Sequence, residues 1–426
     1  MRTSLKFAAV IAFAASPAAA EQVHVVAGHL LDPESGRISG LQAILIEDGK
    51  VVRSGPLAEL PHPDGARHVD LSGYFVLPGL LEAHAHLTGD ADEQGYRELA
   101  VSIPRAALKG ARNARLTLEA GFTTVRNVGA EGYADVALRD AIAAGEVPGP
   151  RLLVSGPPVG ITGGHCSDNN LLPPEYDVRG EGVADGPWAA RAAVRRNIKY
   201  GVDLIKTCST GGVLSKGTEV GAPQNTPEEL AAIVDEAHMH GRKVASHAHG
   251  ASGIKNALRA GVDSIEHASF IDDEGIALAK KTGAILVMDI YNTEYILGAG
   301  EAAGFLPESL EKERRTGETQ RANFEKAHKA GVTMGFGTDS GVYPHGENAR
   351  QFSRMVRFGM TPLEAIRAAT LVNARLFGLK GKAGTLAPGA WGDLIAVAEN
   401  PLERIETLED VRLVMKEGEI VKDLRR

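Results

Sequence analysis

The sequence predicts an α/β protein: a (β/α)8 TIM-like barrel with a small, discontinuous β-sandwich domain built from both ends of the chain. Three observations lead there. Short apolar strands alternate with amphipathic helical stretches eight times through the middle of the chain. The two ends read instead as short β-runs joined by tight turns. Residues with metal-binding chemistry recur where apolar strands stop, and a barrel keeps its chemistry at the carboxyl ends of its strands. An open doubly wound sheet is the competing architecture, but no glycine-rich dinucleotide loop follows an early strand.

In chain order, Arg2 and Lys6 precede a short apolar run, 7–15, and Ala18, Ala19 and Ala20 precede Glu21. That order of charge, apolar core and small residues is the pattern of a cleaved export signal over 1–20. The run is too short to span a bilayer, and a buried N-terminal helix is the alternative. The expectation is an exported protein, periplasmic or extracellular. Strand-like runs follow at 23–26, 43–47 and 50–53, the last two joined by an Asp48-Gly49 hairpin turn. The far end repeats the pattern at 394–397, 411–416 and 420–421. The small β domain is therefore assigned to 21–76 and 385–426, and the barrel to 77–384. Its eight strands are expected at 75–80, 123–128, 151–155, 204–207, 244–247, 264–267, 284–288 and 332–337. Helices are expected at 227–240 and 362–377. The first opens Thr226-Pro227-Glu228-Glu229, an N-cap, a proline at the first helical position and early acids. Two long connections, 157–187 and 291–307, fall after strands three and seven, where barrel loops face the active site.

Composition narrows the function. With 43% hydrophobic and 23% charged residues among 426, the chain has an ordinary globular balance. A formal charge of −8 and the lack of a basic block argue against a nucleic-acid partner. No segment after the leader has transmembrane length, so no membrane partner is expected. The two cysteines, Cys166 and Cys208, follow strands three and four. An exported chain allows them to pair, but the simpler expectation is two small buried residues.

The chemistry begins at Leu81-Glu82-Ala83-His84-Ala85-His86. In an extended chain i and i+2 share a face, so His84 and His86 reach one ion together. Alone, two surface histidines explain such a pair equally well. His247 ends the fifth strand in VASHAHG, His267 the sixth in SIEHASF, Asp339 the eighth in GFGTDS, and Lys206 the fourth in DLIKTC. Four imidazoles and a carboxylate suit zinc or a similar borderline ion. Lys206 is the exception, because an ammonium is no ligand. It is either a salt-bridged lysine or one carboxylated by carbon dioxide, whose two oxygens then bridge two ions.

This set resembles the amidohydrolase superfamily, above all its imidazolonepropionase-like and dipeptidase-like branch. AGFTTVRNVG (120–129), GMTPLEAIRAAT (359–370) and GTLAPGAWGDLIAV (384–397) carry the likeness across nearly the whole chain. Asn127 stands where Asp is expected, and Trp391-Gly392 where Lys-Ala is usual. The resemblance implies two divalent ions, zinc first. His84, His86 and Asp339 hold one, His247 and His267 the other, and carbamylated Lys206 bridges them. Asp339 then moves the proton. His165, in GITGGHCSDNN, resembles the branch's GGH motif and is the first candidate to contact substrate and its oxyanion. His249, which replaces a tyrosine common there, and Tyr291 are the others. Each of the three also reads as a loop residue packed for structure. Arg350 and Lys216 are candidates for the substrate carboxylate. The implied activity is cleavage of the amide bond of dipeptides or N-acyl amino acids, including the ochratoxin-type amides cut by exported bacterial members. A one-metal deaminase or imidazolonepropionase-like cyclic amide hydrolase, a lactonase or phosphotriesterase, and a metal-free binding module remain as alternatives. The natural substrate is a small molecule, and a homo-oligomer is compatible with the sequence.

Overall fold

The computed structural model describes residues 22–425 except 169 and 177. The export-signal stretch, 1–20, lies outside the described residues. The strands are β1 (Gln22–Leu31), β2 (Ile38–Ser39), β3 (Gln42–Glu47), β4 (Lys50–Pro56), β5 (Arg67–Pro78), β6 (Leu80–Ala85), β7 (Phe122–Asn127) and β8 (Arg151–Val154). They continue as β9 (Leu204–Cys208), β10 (Lys243–Ala248), β11 (Ser264–His267), β12 (Ile285–Val287), β13 (Met334–Gly335), β14 (Leu394–Val397), β15 (Leu413–Lys416) and β16 (Glu419–Asp423).

Strands from both ends of the chain form one eight-stranded sheet, ordered β16-β15-β14-β5-β1-β3-β4, with β2 on β1. Val25, Ile44, Ile46, Leu71, Val76, Leu394 and Met415 pack as its own buried cluster. Its hairpins turn where expected. Asp48 and Gly49 both take positive φ, 46° and 76°, between β3 and β4. Positive φ at both central residues is what a type I′ turn requires, and its twist matches that of the flanking strands.

Strands β6 to β13 run parallel, as β6-β7-β8 and β9-β10-β11-β12-β13. Their facing edges are joined by backbone hydrogen bonds. Ala83 N donates to Phe336 O (3.1 Å) at one seam, and Asp203 N to Val154 O and Val159 N to Lys206 O (2.8 Å each) at the other. Helices cover the strands, and the largest core cluster lies between the two layers. The helix Pro227–Met239 opens with the expected capping box: Thr226 accepts from Glu229 N, and Glu229 from Thr226 N. Among the described residues no helix is long and apolar enough to cross a membrane.

Four expectations are corrected. The first barrel strand is Leu80–Ala85, not 75–80. Phe75–Pro78 belongs to β5 and pairs antiparallel with β14. Gly79 N still bonds Asp393 O beside β14, but Leu80 N bonds Gly121 O beside β7, so the ladder changes partner between them. His84 thus lies inside the strand rather than beyond it. The connection 291–307 holds a helix, Asn292–Ala299, and a 3-10 turn, because Ile296, Ala303, Phe305, Leu310 and Val342 bury one another. The expected helix 362–377 carries a π-helical turn at Ala368–Val372. After it, Asn373 Nδ2 caps the carbonyls of Leu81 and Phe336 at 2.8 and 2.7 Å. Finally, Cys166 and Cys208 are joined as a disulfide with Cα atoms 6.2 Å apart, tying the loop after β8 to the end of β9.

Candidate active site

His84, His86, His165, Lys206, His247, His249, His267 and Asp339 all line one cavity of about 190 Å³ at the carboxyl ends of the parallel strands. Asp339 Oδ1 lies 3.2 Å from His84 Nε2 and 3.0 Å from His86 Nε2. The His267 ring sits 5.0 Å from His84, 4.5 Å from His247 and 4.7 Å from His249, between centroids. One ligand atom each from His84, His267 and Asp339 lie within 4.8 Å of one another, and so do atoms from His247, His249 and His267. His267 therefore belongs to both groups, and His249 stands beside the expected ligands.

Four imidazoles are each fixed through one ring nitrogen. His84 Nδ1 faces Glu266 Oε2 at 3.1 Å. His267 Nδ1 meets Asp289 Oδ1 at 2.8 Å, His249 Nδ1 meets Ser269 Oγ at 2.7 Å, and His247 Nε2 meets Gly211 O at 3.2 Å. That leaves the other nitrogen of each ring as the donor for an ion, the arrangement by which outer partners set the tautomer of ligating histidines. Burial, with neighbouring positive groups, holds His247 and His249 well below the usual histidine range and His165 down to about 3. These rings are neutral and keep their lone pairs. His84 differs. Burial and Lys206 oppose its protonation, but Asp339 and Glu266 outweigh them and raise it to about 9. Asp339 is pulled well below the carboxylate range by His84 and His86, against burial. Neutral nitrogen donors thus border a corner that favours positive charge, and this donor set fits divalent ions.

Lys206 is 3% exposed, and its side-chain amine makes no hydrogen bond or ion pair among the described residues. Burial lowers its pKa. This is no salt-bridged lysine. The backbone is bent at the same places: φ is 69° at His267, 49° at Ala268 and 57° at Asp339. Such left-handed positions in non-glycine residues persist where the surroundings over-determine them.

His165 is held beside His247, ring centroids 4.1 Å apart, by the Cys166–Cys208 bridge and by Gln224 Oε1 accepting from His165 N. Three other candidates do not line the cavity. The Tyr291 hydroxyl accepts from Arg350 Nη1 (3.1 Å), and its ring packs on Tyr343. Arg350 also pairs with Glu347, and Lys216 Nζ donates to the Tyr96 hydroxyl. Asn127 Oδ1 accepts from Leu87 N at 2.7 Å, and its Nδ2 donates to Gly129 O (3.1 Å) and Asp135 Oδ2 (3.3 Å), two bonds that an ionised acid there would not make. Sequence reading missed Asp289, Glu266 and Asn292. It also missed Glu313, Thr316 and Gln320, which reach the cavity from the helix Pro307–Lys329.

Comparison with known proteins gives the family. The amidohydrolase family pattern matches residues 75–421. The chain is 33% identical over 429 residues to ochratoxinase of Aspergillus niger, across 94% of this chain and 87% of that one. It superposes on a crystal structure of a Xaa-Pro dipeptidase with bound methionine in the active site (TM-score 0.89, 37% identity, 94% of this chain and 99% of that one). It does so too on a prolidase complexed with N-methylphosphonate-L-proline (TM-score 0.87, 31% identity, 94% of this chain and 100% of that one). The TIM-barrel type of architecture is shared with these structures, and the chain belongs to the amidohydrolase family.

Proposed function

We propose that this protein hydrolyses the amide bond of a dipeptide or N-acyl amino acid and releases the C-terminal residue, using two divalent ions, zinc first. One observation carries the reading: four imidazoles, each pinned through one nitrogen, stand beside Asp339 and a buried amine with no partner. His84, His86 and Asp339 would hold one ion, and His247 and His267 the other. A protonated Lys206 beside two cations is repelled strongly at such range. Its burial favours the neutral amine, which adds to carbon dioxide and loses a proton to give an anionic carbamate.

The ions supply Lewis acidity toward the carbonyl and toward water. Asp339, ionised, takes the proton from water and passes it to the leaving nitrogen. His165, neutral, donates to the carbonyl oxygen as it gains charge. Val213, Leu214, Ile296 and Val342 give the cavity an apolar side, and its volume suits one residue's side chain rather than a long peptide. The relatives' ligands and names, methionine, an N-methylphosphonate of proline and ochratoxinase, support amides of amino acids as the class.

The test is to strip the protein with a chelator, reload it with zinc and bicarbonate, and assay N-acyl amino acids, Xaa-Pro dipeptides and an ochratoxin-type amide for released amino acid. Two ions in the cavity of each chain and turnover of at least one of these amides are expected, and Lys206→Ala should lose cavity metal and activity together. Saturation at one ion, release of ammonia, or faster turnover of lactones or phosphotriesters overturns the reading. Export follows from residues 1–20: sequencing of secreted protein should begin at or near Glu21, and a start at Met1 argues against it.

A further inference from the structure

Three histidines that do not line the cavity converge on the eight-stranded sheet. His24 on β1 and His68 on β5 are register partners in a parallel pair, so their side chains stand on the same face. His62 comes from the segment between β4 and β5, where Pro61 and Pro63 restrict the backbone on both sides. Ring centroids are 5.2 Å apart for His24–His62, 5.9 Å for His24–His68 and 5.3 Å for His62–His68. One nitrogen from each lies within 4.8 Å of the other two.

His24 sets the chemistry. It is fully buried, and its Nε2 donates to Leu60 O at 3.0 Å. A carbonyl only accepts, so the hydrogen sits on Nε2, and the neutral ring carries its lone pair on Nδ1. That Nδ1 is buried and has no hydrogen-bond partner among the described residues. Buried acceptors are normally satisfied. A ring fixed by a backbone carbonyl through one nitrogen, with the other unpartnered, is oriented as a metal ligand is. His62 and His68 are exposed.

We propose that His24, His62 and His68 form a second metal site, taking one divalent transition ion of the zinc, copper or nickel class through three imidazole nitrogens. Nitrogen donors favour these ions over calcium or magnesium. Tetrahedral bonds of about 2.05 Å bring donor nitrogens to about 3.3 Å, and the two exposed rings close that gap by turning about their side chains. The remaining coordination position faces water. The ion would clamp the segment between β4 and β5 to the sheet, and the proposal is independent of how many ions the cavity holds.

The holoenzyme is titrated with Zn²⁺ alone and with Cu²⁺ alone, by calorimetry and by metal analysis after desalting. The expected result is one ion per chain above the starting content. His62→Ala and His68→Ala should weaken that ion roughly 100-fold or more, more than loss of an outer partner does, with amide hydrolysis unchanged. His238→Ala, at an exposed histidine paired with Asp263 outside the cluster, should keep it. Bound Cu²⁺ should show imidazole nitrogen couplings in its electron paramagnetic resonance, fewer in each single variant. Equal extra metal in the wild type and the His62→Ala/His68→Ala double variant overturns the proposal, and so does an equal loss in His238→Ala.

Discussion

Arg126→Met offers the sharpest probe of how the site is held. Arg126 is 3% exposed on β7, and its guanidinium ties three strands together. Nε donates to Ala83 O (2.6 Å) on β6, and Nη1 and Nη2 to Ser264 Oγ (3.0 Å) and Glu266 Oε1 (2.8 Å) on β11. The other oxygen of Glu266 faces His84 Nδ1. Burial alone would raise the Glu266 carboxyl, but the Arg126 charge, then His84, hold it well below the usual range. Charge centres about 4 Å apart interact by about 4 kcal/mol at an effective dielectric near 20. Removing one partner of a buried pair typically costs about 3–5 kcal/mol, because the other charge is left uncompensated. The methionine should therefore lower the unfolding free energy by about that much and weaken metal binding roughly 10- to 100-fold through His84.

Urea unfolding by circular dichroism measures the first quantity, in a cycle with Glu266→Gln. The double variant should recover about 2 kcal/mol of the loss, since neutral glutamine needs no guanidinium. The pH dependence has a definite sign. In the wild type the stability from ionised Glu266 is present above its ordinary value near 4.5 and is lost only as pH falls toward its much lower folded value. In Arg126→Met burial dominates, the carboxyl is raised, and stability is lost as pH rises. The gap between the two proteins should be wider at pH 8 than at pH 5.5. A coupling under about 0.5 kcal/mol, or a gap that does not change with pH, would refute the reasoning.

Three further outcomes are expected. A Cβ at Gly212 would overlap the His165 ring, so Gly212→Ala should displace that ring by about 1 Å and lower kcat about 100-fold; unchanged kcat at full metal content would remove His165 from the chemistry. Cys166→Ser opens a bridge between residues 42 apart, for which chain entropy sets a ceiling of about 4 kcal/mol; an equal urea midpoint in oxidised and reduced wild type argues against any such contribution. Burial, with the Asp289 charge adding to it, pushes Glu313 up to about 7, so stability is lost as pH rises from its unfolded value near 4.5 through 7. Glu313→Gln should then be more stable than wild type at pH 8 by roughly 3 kcal/mol, and parallel stability–pH curves from pH 5 to 8 would count against this.

What was legible in the sequence was local. A histidine, lysine or aspartate closing an apolar strand can be read from a few neighbouring residues, as Lys206, His247, His267 and Asp339 are, and His84 is read from its i, i+2 spacing to His86. Asp289 carried the same signal at the end of β12 and was passed over, since it supports a ligand rather than being one. Glu266 was hidden by the alternation rule, which sends adjacent strand residues to opposite faces. The chain turns to φ 69° at His267, so Glu266 and His267 both come to lie against His84. Glu313, Thr316 and Gln320 fall three and four residues apart on one helix face. A polar helical stripe reads as a solvent face unless the fold is already known. Tyr291 failed in the opposite way. Its position past strand seven was right for a site residue, but its ring is taken up by Tyr343, Arg350 and Arg354.

The same contrast bears on how the site keeps its shape. The ligand-type residues come one or two to a strand, but each imidazole is oriented from elsewhere: His84 by Glu266 of β11, His267 by Asp289 beyond β12, and His247 by the carbonyl of Gly211 beyond β9. Asp289 is in turn held by Asn292 (2.6 Å) and by Gln320 (3.1 Å) from the long helix. Ring orientation thus depends on the register between neighbouring strands and on one outer helix, rather than on any strand alone. A shift of strand register would detach the outer partner while leaving the ligand in its motif. Substitutions at Asp289 or Gln320 should therefore act on metal affinity without touching an expected ligand, whereas the motif histidines only reveal where to look.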